Sequence, residues 1–187
     1  MLHPELDRLF SAIDAAEVDA ANLLDGLTDA QVNWQPENGR RWSIAQCLDH
    51  LAKMNPFYAG HFLRALGAAR KETQAPFRGL KPTWFGRRFV KALGPLPAPR
   101  MKAPRETIPA STIPLAGLLE SYVRSHDDYR ELVRAASEVD VNRVTVGNPF
   151  IGAVRMRVST VLLIIPAHDR RHLGQARQVL QTPGFPK

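Results

Sequence analysis

The stretch Ser159–Gln181, STVLLIIPAHDRRHLGQARQVLQ, decides the reading of this chain. Leu162, Ile165, Leu173, Ala176 and Val179 recur at spacings of three and eight, on one side of a 3.6-residue turn, which predicts an amphipathic helix. Pro183-Gly184 beyond it supplies a stop. Pro166 lies too deep to be a first-turn proline, so it should remove a hydrogen bond and bend the helix just before His168. His168 and His172 are four residues apart, about 400° of turn, and project from nearly one face. A pair so spaced can grip a single ion without distorting the backbone. The same spacing fits two surface histidines beside Arg170 and Arg171. The apolar pattern favours the first reading, because it sets the pair at the edge of the core and turns the arginines elsewhere.

Three more helices are expected. Leu6, Leu9, Phe10, Ile13, Ala16, Val18, Leu23 and Leu24 predict one from about His3 to Leu27, ended near Asp25-Gly26. A second starts with Ser43 as N-cap after Trp42. It carries Ile44, Cys47, Leu48, Leu51, Met54, Tyr58, Phe62 and Leu66, with Pro56 expected to kink it. A third, about Leu115 to Ser137, aligns Leu118, Leu119, Tyr122, Val123, His126, Tyr129 and Val133. Gln31–Pro36 reads as a short extended or turn segment. Val144–Phe150 reads as a turn-rich connector, and Val154–Val158 alternates like a short strand. Four amphipathic segments without a convincing sheet make an all-α four-helix bundle, a single domain over residues 1–187.

The chain of 187 residues has 44% hydrophobic and 23% charged content, ordinary for a globular protein. No apolar run approaches the roughly 20 residues needed to span a bilayer. The start shows no secretory signal, and the single Cys47 forms no internal disulfide or Cys-x-x-Cys site. A cytoplasmic location is the expectation. The net charge of +7 is local: ten Lys or Arg lie between Arg70 and Arg105 against Glu72 alone, leaving the remainder slightly acidic. This basic, proline-rich insert, residues 70–114, joins helices two and three. It reads as a lid, an interface or a solvated arm that could meet an anionic ligand, an acidic partner or a membrane surface. Trp84 to Leu93 could form a short helix within it.

His50 sits between Cys47, Leu51 and Met54, as inward-facing as the pair in the last helix. Buried polar groups need partners, so inward histidines on two helices invite a shared ligand, though a carbonyl could satisfy His50 alone. Trp42-Ser-Ile-Ala-Gln-Cys-Leu-Asp-His50-Leu51 and Ala167-His-Asp-Arg-Arg-His172-Leu-Gly-Gln-Ala176 resemble the second- and fourth-helix signatures of the DinB-like superfamily. The resemblance implies an up-down-down-up bundle, often dimeric. It also implies one divalent metal held by His50, His168 and His172. Characterised relatives include S-transferases and isomerases that use low-molecular-weight thiols. The long basic insert departs from that pattern.

Three neutral imidazoles leave positions open for water or substrate, as in catalytic sites. Zn, Ni or Fe would each be accepted. The expected function is therefore a metal-dependent transferase or hydrolase acting on a small molecule, anionic or a low-molecular-weight thiol, through an activated water or thiol. A non-catalytic metal-binding or stress-response protein is the alternative. Nucleic-acid binding through the insert ranks third, since no helix-turn-helix or zinc-finger pattern is present. His126 is the candidate catalytic residue, as a pocket-lining proton carrier or a hydrogen-bonded core histidine. Gln175 could support the ligands from a second layer. Asp49 and Asp169 should point about 100° away from their histidine neighbours. Cys47 reads as a buried, inert thiol. His61 lies about 16 Å along the axis from His50, too far to share an ion.

Overall fold

Local hydrogen bonding sets where the helices begin. A computed structural model describes residues 2–72, 75–94 and 102–187. Helix α1 (Pro4–Leu24) starts where His3 Nδ1 accepts from Glu5 N at 3.2 Å, with Pro4 in the first turn. Gly26, at φ 69°, turns the chain out of it. Thr28 and Gln31 then form a reciprocal capping box for a one-turn helix, α2 (Asp29–Asn33), within a region read from sequence as extended or turn. A tight turn, α3 (Pro36–Gly39), follows, with Glu37 and Asn38 at φ 55°. Ser43 caps α4 (Ile44–Glu72) as expected: Gln46 N donates to Ser43 Oγ and Ser43 N to Gln46 Oε1, each at 3.1 Å. α4 continues through Pro56 without a break in its helical assignment.

The insert is not a solvated arm over its described length. Thr83 caps α5 (Trp84–Leu93), and α5 packs along α8 (Val158–Leu180). Arg105–Thr107 forms a 3-10 turn against α4. Arg100, with Pro95, Pro97 and Pro99, lies outside the described residues.

The expected third helix is two helices, α6 (Leu118–Arg124) and α7 (Asp127–Ala136). The break has a local cause. Ser125 Oγ donates to the Tyr122 carbonyl at 2.6 Å, and His126 N reaches back only three residues, to Val123 O at 3.1 Å. Strand β1 (Thr145–Gly147) pairs antiparallel with β2 (Arg155–Arg157), Val146 opposite Met156. β1 falls inside the segment read as a connector.

The architecture is mostly helical, an all-α bundle of α1, α4, α6–α7 and α8 with one small hairpin. Its core has two apolar zones. One gathers Leu6, Ile13, Tyr58, Phe62, Leu132 and Leu162. The other gathers Ala20, Leu24, Leu48, Tyr122, Leu173 and Val179. Between them every long helix contributes buried or half-buried polar residues: Glu17 from α1, His50 and Asn55 from α4, His126 at the α6–α7 break, and His168, Asp169 and His172 from α8.

The seat of α5 on α8 is at Gly86. A Cβ there would overlap Thr160 Oγ1 and stand 2.9 Å from Thr160 Cγ2. Gly86→Ala should therefore destabilise by about 1–3 kcal/mol. In a chain of this size that lowers the thermal midpoint by roughly 2–4 °C per kcal/mol. Thr160→Ala should recover part of the loss in the double variant. Calorimetry of the four proteins checks this, and strictly additive losses would show that α5 does not bear on Thr160.

Candidate metal centre

His50, His168 and His172 meet in the polar layer, and each offers a ring nitrogen, all within 4.8 Å of one another. Their exposures of 3, 7 and 6% leave a site largely closed to water. Nε2 of His168 and Nε2 of His172 are 3.0 Å apart. Two nitrogens that each ligate one ion at about 2.0–2.1 Å stand about 3.0–3.4 Å apart for bond angles near about 90–110°. The pair thus fits a shared cation. His50 Nδ1 is 2.7 Å from the Thr107 carbonyl, which can only accept. That bond places the proton on Nδ1 and leaves Nε2 with a free lone pair, the usual way a metal-ligating imidazole is oriented. Trp42 closes one side, its ring 4.9 Å from that of His50 and stacked at 5.6 Å on that of His172.

All three imidazoles are held neutral, the form that ligates a metal. Burial lowers the His50 pKa, against weaker opposition from the Thr107 carbonyl and Asp49. Burial, then His50 and Arg171, lowers that of His168 to about 3. Burial, His168, His50 and Arg171 together drive His172 well below the ordinary range. Gln175 opposes this slightly, yet Nδ1 of His172 has no hydrogen-bond partner. Support from a second layer therefore comes from Thr107, a backbone carbonyl in the insert, and not from Gln175 at Nδ1. A carbonyl carries no residue-type signal, so nothing in the sequence could have marked Thr107.

Arg171 departs from expectation. It is 7% exposed rather than turned outward, and its Nη1 donates to Ala92 O of α5 at 3.3 Å. Arg170 is exposed. Asp49 points away, accepting from Lys53 Nζ at 2.8 Å and Ala110 N at 2.9 Å. Cys47 is buried, and burial pushes its thiol up to about 12, so it is inert at neutral pH. His61 lies elsewhere, its Nε2 3.0 Å from Gly147 O.

His126 does not join the three histidines. Fully buried, it spans two carboxylates, with Nδ1 2.9 Å from Glu17 Oε1 and Nε2 3.2 Å from Asp169 Oδ2. Asn55 Nδ2 donates to Asp169 Oδ1 at 3.2 Å. Arg130 clamps Glu17 from the other side, at 2.8 and 2.9 Å. Burial works against a charge on His126, but Asp169 and Glu17 outweigh it and hold its pKa above the ordinary value.

These opposite shifts have a measurable sign. In the unfolded chain each histidine takes up its proton near about pH 6.5. The folded His50, His168 and His172 resist it, so without metal their contribution to stability is complete above about pH 6.5. It is lost as pH falls, for His168 down to about 3. His126 acts oppositely: its contribution is present below about pH 6.5 and lost as pH rises through its raised folded value. His168→Ala should flatten the loss of stability between about pH 7 and pH 5 by up to about 1.4 kcal/mol per pH unit. Urea unfolding of the apoproteins measures the slope, and equal slopes would mean that His168 charges within the fold.

A sequence model of the DinB superfamily matches residues 12–176. No curated protein and no solved structure matches the chain. With that match spanning nearly its whole length, and with a helical bundle enclosing a buried histidine cluster, the chain belongs to the DinB superfamily.

Proposed function

We propose that this protein is a metal-dependent enzyme that transfers a low-molecular-weight thiol to, or hydrolyses, a small anionic molecule, with His50, His168 and His172 holding one divalent cation. The reading rests on the convergence of three neutral, buried imidazoles from two helices. Their nitrogen-only donor set suits Zn, Ni or Fe. When bound, such a cation supplies Lewis-acid chemistry that favours the deprotonated form of a water or thiol at neutral pH.

The chain's own residues supply the rest. The Thr107 carbonyl fixes the His50 tautomer and ring plane. Trp42 presents an apolar wall beside two of the histidines. The Arg171 charge reaches His168 and His172, as their lowered pKa values record, and it favours an anion beside them. His126 enters as a positioning residue. Through Asp169, the chain neighbour of His168, it braces α8 against α1 while holding a proton between Asp169 and Glu17. Thiol transfer is ranked above hydrolysis by analogy with the superfamily alone.

Elemental analysis of protein purified without chelator should give about one divalent metal per chain, and His168→Ala should lose it. Wild-type stability should rise by about 2.7 kcal/mol at metal concentrations 100-fold above Kd. Metal-loaded protein incubated with a panel of thiols and electrophiles should show turnover that falls to background in His50→Ala. A full equivalent of metal in His168→Ala would overturn the site. Stoichiometric metal with equal rates in wild type and His50→Ala would instead leave a metal-binding protein without turnover.

A further inference from the structure

The insert presents a second surface, set apart from the histidines. On α5, Gly86, Phe89, Val90 and Leu93 face the bundle, while Trp84, Arg87, Arg88 and Lys91 face out. Trp84 is 68% exposed and Phe85 52%, an unusual investment of large aromatic area in solvent. Arg88 lies over the Trp84 ring at 5.5 Å. Gly86 rests on Thr160, eight residues before His168, so the aromatic end of α5 is about 12 Å along α8 from the metal centre.

The surroundings are cationic without relief. The sequence holds no Asp or Glu from Thr73 to Arg105, or from Val141 to His168. The fold sets these two acid-free segments side by side. Arg157 Nη1 donates to Lys81 O at 3.4 Å, and Lys81 N donates to Asn142 Oδ1 at 2.7 Å. Arg155 and Arg157 occupy the exposed side of β2, with Met156 buried behind them. Among the described residues, Glu5 and Asp140 border this region and each accepts from a backbone N–H within it or beside it. Glu5 Oε2 accepts from Leu80 N at 2.9 Å, and Asp140 Oδ1 accepts from Asn142 N at 3.1 Å.

We propose that this face, with Trp84 and Phe85 ringed by Lys81, Arg87, Arg88 and Arg157, docks the protein on an anionic lipid bilayer. Exposed aromatic side chains at one end of an amphipathic helix enter the headgroup–acyl boundary, where an apolar ring with a polar edge is best solvated. Lys and Arg around them gain from the negative surface potential. No helix among the described residues is long and apolar enough to cross a membrane, and the attachment proposed is peripheral. A nucleic acid satisfies the charge but offers no apolar phase for Phe85. It also needs an open stacking face, and one face of Trp84 already carries the Arg88 guanidinium.

Flotation of the full-length, metal-loaded protein with vesicles tests the proposal, comparing phosphatidylcholine alone with a mixture containing about a third phosphatidylglycerol. Wild type should float with the anionic vesicles only, and less as salt rises. Each surface cation contributes about fivefold, so Arg87→Ala/Arg88→Ala should weaken binding about 25-fold. Trp84→Ala/Phe85→Ala should abolish flotation while metal content and circular dichroism stay at wild-type values. Lipids brominated in the acyl chain should quench wild-type fluorescence and spare Trp84→Phe. The proposal is overturned if wild type ignores anionic vesicles, or if the aromatic variant floats as well as wild type. It is equally overturned if the aromatic variant only splits a dimer, or if a DNA duplex binds this face more tightly than the vesicles.

Discussion

A layer of polar side chains across the middle of an apolar bundle is the constraint on which the rest of the structure depends. Burying three imidazoles and a carboxylate–imidazole–carboxylate chain is costly unless each group finds a partner. The two halves of the layer meet that demand differently. On one side His50, His168 and His172 remain uncharged and turn nitrogens toward one another. On the other, Glu17 and Asp169 enclose His126 and favour its protonated form. The boundary between them runs through consecutive residues, since His168 faces the neutral cluster and Asp169 the charged one. One turn of α8 therefore presents a neutral imidazole and a counter-ion about 100° apart, which helical geometry provides without strain.

The break between α6 and α7, made by local bonds, serves the same layer. The tightened turn at Ser125-His126 aims the ring at carboxylates on α1 and α8.

The fold and the His168–His172 pair were legible because both depend on spacing, whereas His50 joined them only through the resemblance of its helix to the DinB-like signature. Apolar residues at three and four marked the helices, and His168 with His172 could share only one face. What stayed hidden depends on partners that spacing does not encode. Arg171 lies on the opposite side of the helix from Leu162 and Leu173, and it is buried because α5 covers that side and its Ala92 carbonyl accepts from Nη1. Ser125 and His126 are individually acceptable inside a helix, so only the local back-bonds seen in the fold reveal the break. Val146 pairs with Met156 across a turn whose Gly147-Asn-Pro sequence reads as irregular. In the insert, proline density suggested a free arm. It took Gly86 against Thr160, and the capping threonine before it, to make a docked helix.

The Thr107 carbonyl gives the insert a say over the bundle's centre. His50 owes its tautomer to a backbone carbonyl on the segment that joins α5 to α6. Lifting that segment from α4 would remove the acceptor that orients the His50 ring. A stretch that looks like an accessory in the amino-acid order thereby sets the ring plane of a buried histidine at the bundle's centre.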